Sequence, residues 1–406
     1  MPHAAVPGEL MSGGRRLVLG AAALAAAAIL PAGGASAQEG GSGGDGVFSD
    51  SIVFGQSAAL NGPAEELGRN MNLGIRAAFE EANRAGGVND RALRLLVRDD
   101  GYEPEAAVAN TRELIAHGVF GLIGAVGTPT SNVAEPVARV AAVPYIGAFT
   151  GAESLRADTL RYVVNLRASY YQETEEMVER LVRDLGFRRI AVFYQDDSYG
   201  LAGLTGVRMA MDERSMELVG EAAYMRNTRA VKRGLLDIRA GAPEAVIIIG
   251  AYAPVAHFIR WARKIGLDAV FVNISFVGSS ALLSELGRAG DGVVVTQVVP
   301  FPGDTSRPAV ARYRAALRAV DPDARPGFVS LEGYLAGRLV VEALEAGDPE
   351  TPPTRESFLR TLTESGPIDL GGFVVSYGEG DNQGSDLVFL TVIRGGEFVP
   401  VTRLSR

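Results

Sequence analysis

From Ile52 onward, short apolar runs alternate with stretches whose apolar positions recur every three or four residues. The runs at 52–58 (IVFGQSA), 92–98 (ALRLLVR), 119–124 (VFGLIG) and 143–149 (VPYIGAF) read as strands. Between them, NMNLGIRAAFEEANRAGG places Met71, Ile75, Ala78 and Ala82 on one helical face and stops at Gly86-Gly87. PEAAVANTRELIAHG opens with Pro104, suited to a first helical turn, and ends at Gly118. The rhythm repeats from about residue 162, with strands expected at 189–195, 245–250 and 268–274 and helices near 171–185, 200–213 and 254–265. Such alternation implies a parallel sheet covered by helices on both faces, and two passes imply two α/β lobes. The C-terminal stretch differs: its apolar segments are joined by Gly-rich turns, with Gly395-Gly396 marking a hairpin.

Composition narrows the chemistry. The chain has 406 residues, enough for two domains, and 47% hydrophobic content with 21% charged, which is ordinary for a globular protein. It contains no cysteine, so disulfides, thiolate metal sites and cysteine nucleophiles are excluded. His3, His117 and His257 are the only histidines, and they are not clustered. No resident cofactor or metal is expected. The formal net charge is -9 and no basic stripe occurs, which argues against a nucleic-acid partner.

The N-terminus carries Arg15-Arg16, an apolar run from Leu17 to Leu30 and an Ala35-Ser36-Ala37 cleavage pattern. This is a secretory signal over 1–37, with a twin-Arg route suggested by the paired arginines and general secretion as the alternative. The run is shorter than the roughly 20 residues of a membrane span. Without a cysteine to carry lipid, the mature protein is expected free in the periplasm. Residues 38–49 are Gly-rich and read as a flexible tether.

In open α/β sheets ligands bind beyond the carboxyl ends of the strands. The expected strand ends carry Gly127-Thr128-Pro129-Thr130-Ser131, Phe149-Thr150-Gly151, Asp196-Asp197-Ser198-Tyr199-Gly200, Ala251-Tyr252-Ala253-Pro254 and Ser275-Phe276-Val277. These are hydroxyls, aromatics and small residues, poor in acid/base pairs. Hydroxyls and free amides at a helix N-terminus suit a carboxylate, and tyrosines give apolar walls with a polar tip. Helix capping is the plain alternative for Thr130, Ser131 and Asn132. No G-x-S-x-G elbow follows an expected strand, and GAVGTPTS lacks the Lys of a phosphate loop. Asp99-Asp100 and Asp196-Asp197 read as turn and cap residues, because neighbours on a strand point to opposite faces. Trp261 reads as packing.

With AALNGPAEELGRNMNLGIRAAFEEANRAGGVND, GLIGAVGTPTSNVAEPVARVAAVPYIGAFTGAESLR and IAVFYQDDSYGLAGL in this order, the chain resembles the type I periplasmic solute-binding proteins of the leucine/isoleucine/valine-binding group. The resemblance runs from Ile52 to about Phe301. It implies two Rossmann-like lobes with parallel sheets, joined by a three-crossover hinge. The expected N-terminal lobe is 50–166 plus about 299–383, and the C-terminal lobe 167–298 plus about 384–406. It also implies a binding protein and not an enzyme, delivering a small ligand to an inner-membrane ABC permease and acting as a monomer. A periplasmic sensor for a small amide or acid is the alternative role.

The resemblance places ligand contacts at Thr128, at Phe149, Thr150 and Gly151, at Tyr199 and at Tyr252, with wall positions at Leu67 and Phe328. The family's ammonium-binding Glu position holds Ser275, which puts recognition of an α-amino acid in question unless Glu332 or another acid reaches the cleft. A disulfide found in some relatives would join positions held here by Tyr102 and Gly127, so Tyr102 is free to face the cleft.

Overall fold

The apolar runs of the first half assemble as parallel strands: β1 (Ser51–Ala58), β2 (Ala92–Asp99), β3 (Gly121–Ile123), β4 (Tyr145–Ile146) and β5 (Val163–Val164), in sheet order β2-β1-β3-β4-β5. The structure, a computed structural model, describes residues 45–405. The signal segment and most of the expected tether lie outside those residues. The tether's last residues differ from the expectation. Val47 pairs with Ile52, and Gly46, at φ +74°, lies against the backbone of Val119 and Phe120.

A second sheet holds β6 (Ile190–Gln195), β7 (Gly220–Tyr224), β8 (Ala245–Ile249), β9 (Val270–Asn273) and β10 (Val294–Gln297), all parallel. After a small ladder of β11 (Ile368–Asp369) and β12 (Val374–Val375), the hairpin β13 (Phe389–Arg394) and β14 (Glu397–Val401) adds to it antiparallel, next to β10. The order is β14-β13-β10-β9-β8-β6-β7. Every residue of β8, AVIII, is buried, as expected for a strand covered on both faces. Burial of each such side chain stabilises by about 1.5–3 kcal/mol.

Helices α1 (Glu65–Arg84), α2 (Pro104–Ala116) and α3 (Thr128–Val140) alternate with the first strands. α4 (Tyr170–Leu185), α5 (Ser198–Asp212), α6 (Lys232–Ala240), α7 (Tyr252–Lys264) and α8 (Ser279–Leu286) alternate with the second set. The chain then runs into α9 (Pro308–Val320), α10 (Phe328–Glu345) and α11 (Arg355–Glu364). α10 packs on α1, back at the first sheet, and the crossing is close because glycine sits on both helices. A Cβ on Gly74 would fall 2.0 Å from the Ser330 carbonyl, and one on Gly333 2.3 Å from that of Met71.

Three connections therefore join the two sheets. The first and last run side by side: the Asn165 amide donates to the Asn382 carbonyl at 2.8 Å, and the Gly384 amide to the Asn165 carbonyl at 2.8 Å. α4 starts directly after the first crossover and is fixed by a capping box between Ser169 and Gln172. That cap sets the position of Arg167 before the helix and of Tyr170 and Glu173 within it.

Candidate functional site

On the first sheet the site begins with Asp100. Its carboxylate accepts from Ser57 Oγ at 2.7 Å and from the Tyr102 amide at 2.9 Å, and burial pushes its pKa up to about 6. This turn holds Tyr102 at φ +64°, a left-handed conformation that a bulky residue adopts only when its surroundings fix it. The Tyr102 ring lies on Gly127, where a Cβ would come within 2.1 Å of it; Gly127 itself sits at φ +95°. The two positions that the resemblance would join by a disulfide are thus in contact here through ring and backbone.

Gly127 ends the strand region, and α3 starts at once with Thr128, so the expected polar turn is the first turn of a helix. Thr130 Oγ1 donates back to the carbonyls of Val126 and Gly127. Ser131 Oγ accepts from the Tyr145 hydroxyl at 3.2 Å, and Asn132 Oδ1 accepts from Ser154 at 2.7 Å. Thr128 does something different. Its Oγ1 lies 2.7 Å from Thr150 Oγ1, and Thr150 Oγ1 lies 3.2 Å from the Tyr170 hydroxyl. Both threonines are buried. The amides of Thr128 and Thr130 are in the first turn, where no helical carbonyl meets them.

The second sheet presents its strand ends to the same place. Asp197 caps α5, accepting from the amides of Tyr199 and Gly200, and so fixes Tyr199. The Tyr199 hydroxyl donates to the Gly250 carbonyl at 3.4 Å. Phe276 joins the walls: its ring centroid lies 4.4 Å from that of Tyr199 and 5.2 Å from that of Phe149, and 6.1 Å from that of Tyr102. Tyr170 and Tyr199 are 5.5 Å apart. Gln195 Nε2 donates to the Tyr102 hydroxyl at 3.3 Å, while the Tyr224 hydroxyl donates to Gln195 Oε1 at 3.0 Å. At the rim Glu103 accepts from Arg226 and from Asn227, both at 2.7 Å. Leu67 meets Gly278, and the Tyr252 hydroxyl meets the backbone of Glu66. These contacts hold the edges of the two sheets closed on each other.

Between them lies a buried charged group. Arg167 Nη2 donates to Glu173 at 2.8 Å and Nη1 to Glu332 at 3.4 Å, and Arg167 also bonds Ser275 Oγ. Arg167 and Glu173 are 0% exposed. Glu173 accepts further from the Ser275 amide and Ser275 Oγ, each at 2.9 Å, and from Thr296 Oγ1 at 2.5 Å. The guanidinium carbon lies 5.2 Å from the Phe149 ring centroid and 5.9 Å from that of Tyr170. Burial alone would lower the Arg167 pKa, but the Glu332 and Glu173 carboxylates hold it above the usual value. Burial pushes Glu332 up to about 7, against the opposing pull of Arg167.

Residues 51–397 match the family described as periplasmic binding protein. The chain belongs to that family. The crystal structure of a possible leucine/isoleucine/valine-binding protein from Rhodopirellula baltica is 39% identical, covering 87% of this chain and 96% of that one, with a TM-score of 0.82. A leucine-, isoleucine-, valine-, threonine- and alanine-binding protein from Pseudomonas aeruginosa is 22% identical over 328 residues, 80% of this chain and 86% of its own. A fatty acid ABC transporter substrate-binding protein from Thermomonospora curvata shares the fold: its TM-score is 0.81 at 20% identity, covering 88% of this chain and 93% of that one. The type I periplasmic binding protein fold, with parallel sheets in two lobes, follows. The matched proteins bind solutes and are not enzymes. No helix among the described residues is long and apolar enough to cross a membrane.

Within this fold, Thr128, Phe149, Thr150, Gly151, Tyr199, Tyr102 and Ser275 come together, with Gly151 packed against the Tyr170 ring. Leu67 and Tyr252 stand at the lip. Phe328 does not join the group: its ring packs on Phe301 at 5.8 Å and Phe398 at 6.1 Å. Glu332 does reach the centre, held by an arginine. Arg167, Glu173 and Tyr170 are not singled out by the sequence, and Phe276 only as a strand-end neighbour of Ser275. Arg167 follows β5, whose two residues are too few to register as an apolar run; a search of every short β-branched pair would have flagged it.

Proposed function

We propose that this protein is the periplasmic substrate-binding component of an ABC importer. It takes a small solute with a carboxylate and a hydrophobic body, closes its two lobes on it and presents the closed form to an inner-membrane permease. The observation that carries this reading is the Thr128–Thr150 hydroxyl pair, buried at the N-terminus of α3 beneath an aromatic wall. Hydroxyls and unpaired first-turn amides favour an anionic group there. Phe149, Phe276 and Tyr199 give the solute body an apolar surface. Closure is a hinge motion of a lobe built on 50–166 with about 299–383 against a lobe built on 167–298 with about 384–406. The protein acts as a monomer in this scheme, exported through the leader at 1–37 and free in the periplasm.

The names of the relatives favour an importer over a sensor, since amino-acid-binding and ABC transporter proteins stand among them. A thermal-shift screen of hydrophobic carboxylates, amino acids and amides tests the reading. A solute at about 100 times its Kd should add roughly 2.7 kcal/mol of stability. If carboxylates leave the melting temperature unchanged, the reading fails.

A further inference from the structure

We infer that Arg167 makes the cleft selective for a carboxylate without an adjacent ammonium group, such as an aliphatic, aromatic or 2-oxo acid, and that it rejects the matching α-amino acid. This deepens the reading above and rests on it. An ammonium needs an acceptor; Asp100 is tied to Ser57 and the Tyr102 amide, and the acids around the guanidinium are already engaged with it. The two oxygens of Glu173 accept four donors: Arg167 Nη2, Ser275 Oγ, the Ser275 amide and Thr296 Oγ1. A carboxylate has about four acceptor sites, so this one is full.

Glu332 faces the same guanidinium at 3.4 Å, and burial together with Glu173 favours its neutral form. A ligand ammonium here would stand beside a fixed cation with which it would have to share a carboxylate, in a setting where like charges repel strongly. A ligand anion meets the opposite situation. Arg167 Nε is buried and has no hydrogen-bond partner, although a guanidinium donor out of water is costly to leave unpaired. It belongs to a side chain lying against Phe149, the residue before Thr150, and its planar fork suits a carboxylate oxygen.

The test is calorimetric titration of the whole protein with matched probes: 4-methyl-2-oxopentanoate against L-leucine, 3-phenylpropanoate against L-phenylalanine, and 3-phenylpropanamide as a neutral control. In at least one pair the acid without the ammonium should bind roughly 30-fold or more tightly than its amino acid, the scale of one charged hydrogen bond gained or lost. If the amino acid of each binding pair is equal or tighter, this inference is overturned while the carboxylate cleft stands. If only the amide binds, or no probe does, both readings fall.

A second variant removes the guanidinium together with the carboxylate that pairs most closely with it: Arg167→Gln with Glu173→Gln. The ratio of acid to amide affinity should fall at least about tenfold, because only the acid uses the guanidinium. A fall in both affinities by the same factor would assign Arg167 a merely structural role and overturn the inference.

Discussion

Two polar groups meet at the cleft, and they are built on opposite principles. On one side Thr128 and Thr150 form a neutral pair of hydroxyls 2.7 Å apart at a helix N-terminus. On the other, Arg167, Glu173 and Glu332 form a charged cluster in which one carboxylate already accepts four donors. The hydroxyls can rotate to meet a new acceptor, since their own bond is neutral and costs about 1 kcal/mol to exchange. The charges cannot, because each buried ion is tolerated only with its partners in place. The comparison separates two tasks: the threonines can turn toward a ligand, while the ion cluster keeps its geometry and has only Arg167 Nε left to offer one.

The largest expected effect comes from breaking the charged side. Arg167→Met leaves Glu173 buried without its cation and should destabilise by about 3–5 kcal/mol, read from urea melts. A loss below about 1 kcal/mol would show the cluster to be far better solvated than its 0% exposure implies.

Glu332 sharpens the same side through pH. Its folded pKa is raised from the ordinary carboxyl value to about 7 by burial. Between those values the folded chain holds a proton that the unfolded chain has released, so stability falls as pH rises through that window and stays lower above it. Glu332→Gln removes this titration. The variant should match the parent near pH 4 and gain on it by roughly 3 kcal/mol at pH 8. Parallel stability curves for the two proteins would rule out a titrating Glu332.

Closure across the sheets offers a smaller effect. Tyr102→Phe deletes the 3.3 Å bond from Gln195 and should cost about 0.5–1.5 kcal/mol of ligand affinity, with little change in the ligand-free melt. An equal loss in the ligand-free protein would place that bond in the resting fold and not in closure.

Much of this was legible in the sequence where a pattern was long enough to have a period. α2 begins at its Pro signal and both helices end near the glycines that marked their stops, although α1 starts at Glu65, ahead of the stretch read as helical from Asn70. The strand-helix alternation led to the parallel strands of both sheets. The capping role of Asp197 also follows from residue type and position, whereas α3 has no side-chain cap and Thr130 donates to backbone carbonyls instead. The charged cluster was hidden for a physical reason. Arg167 stands after a two-residue strand, Glu173 one turn into α4, and Glu332 lies far along the chain in α10. No local spacing relates them; only the three crossovers bring them together. Phe328 shows the converse, a position placed at the wall by resemblance that packs with Phe301 and Phe398 instead.

The central claim is that the threonine pair receives the carboxylate of a solute. Its most direct test is calorimetric: the affinity of the tightest-binding carboxylate for the parent and for the Thr128→Val, Thr150→Val double variant. Losing two hydroxyl donors to a charged group should weaken binding by about 2–5 kcal/mol, while the neutral bond between them costs the fold only about 1 kcal/mol. An unchanged Kd in a folded double variant would contradict the account.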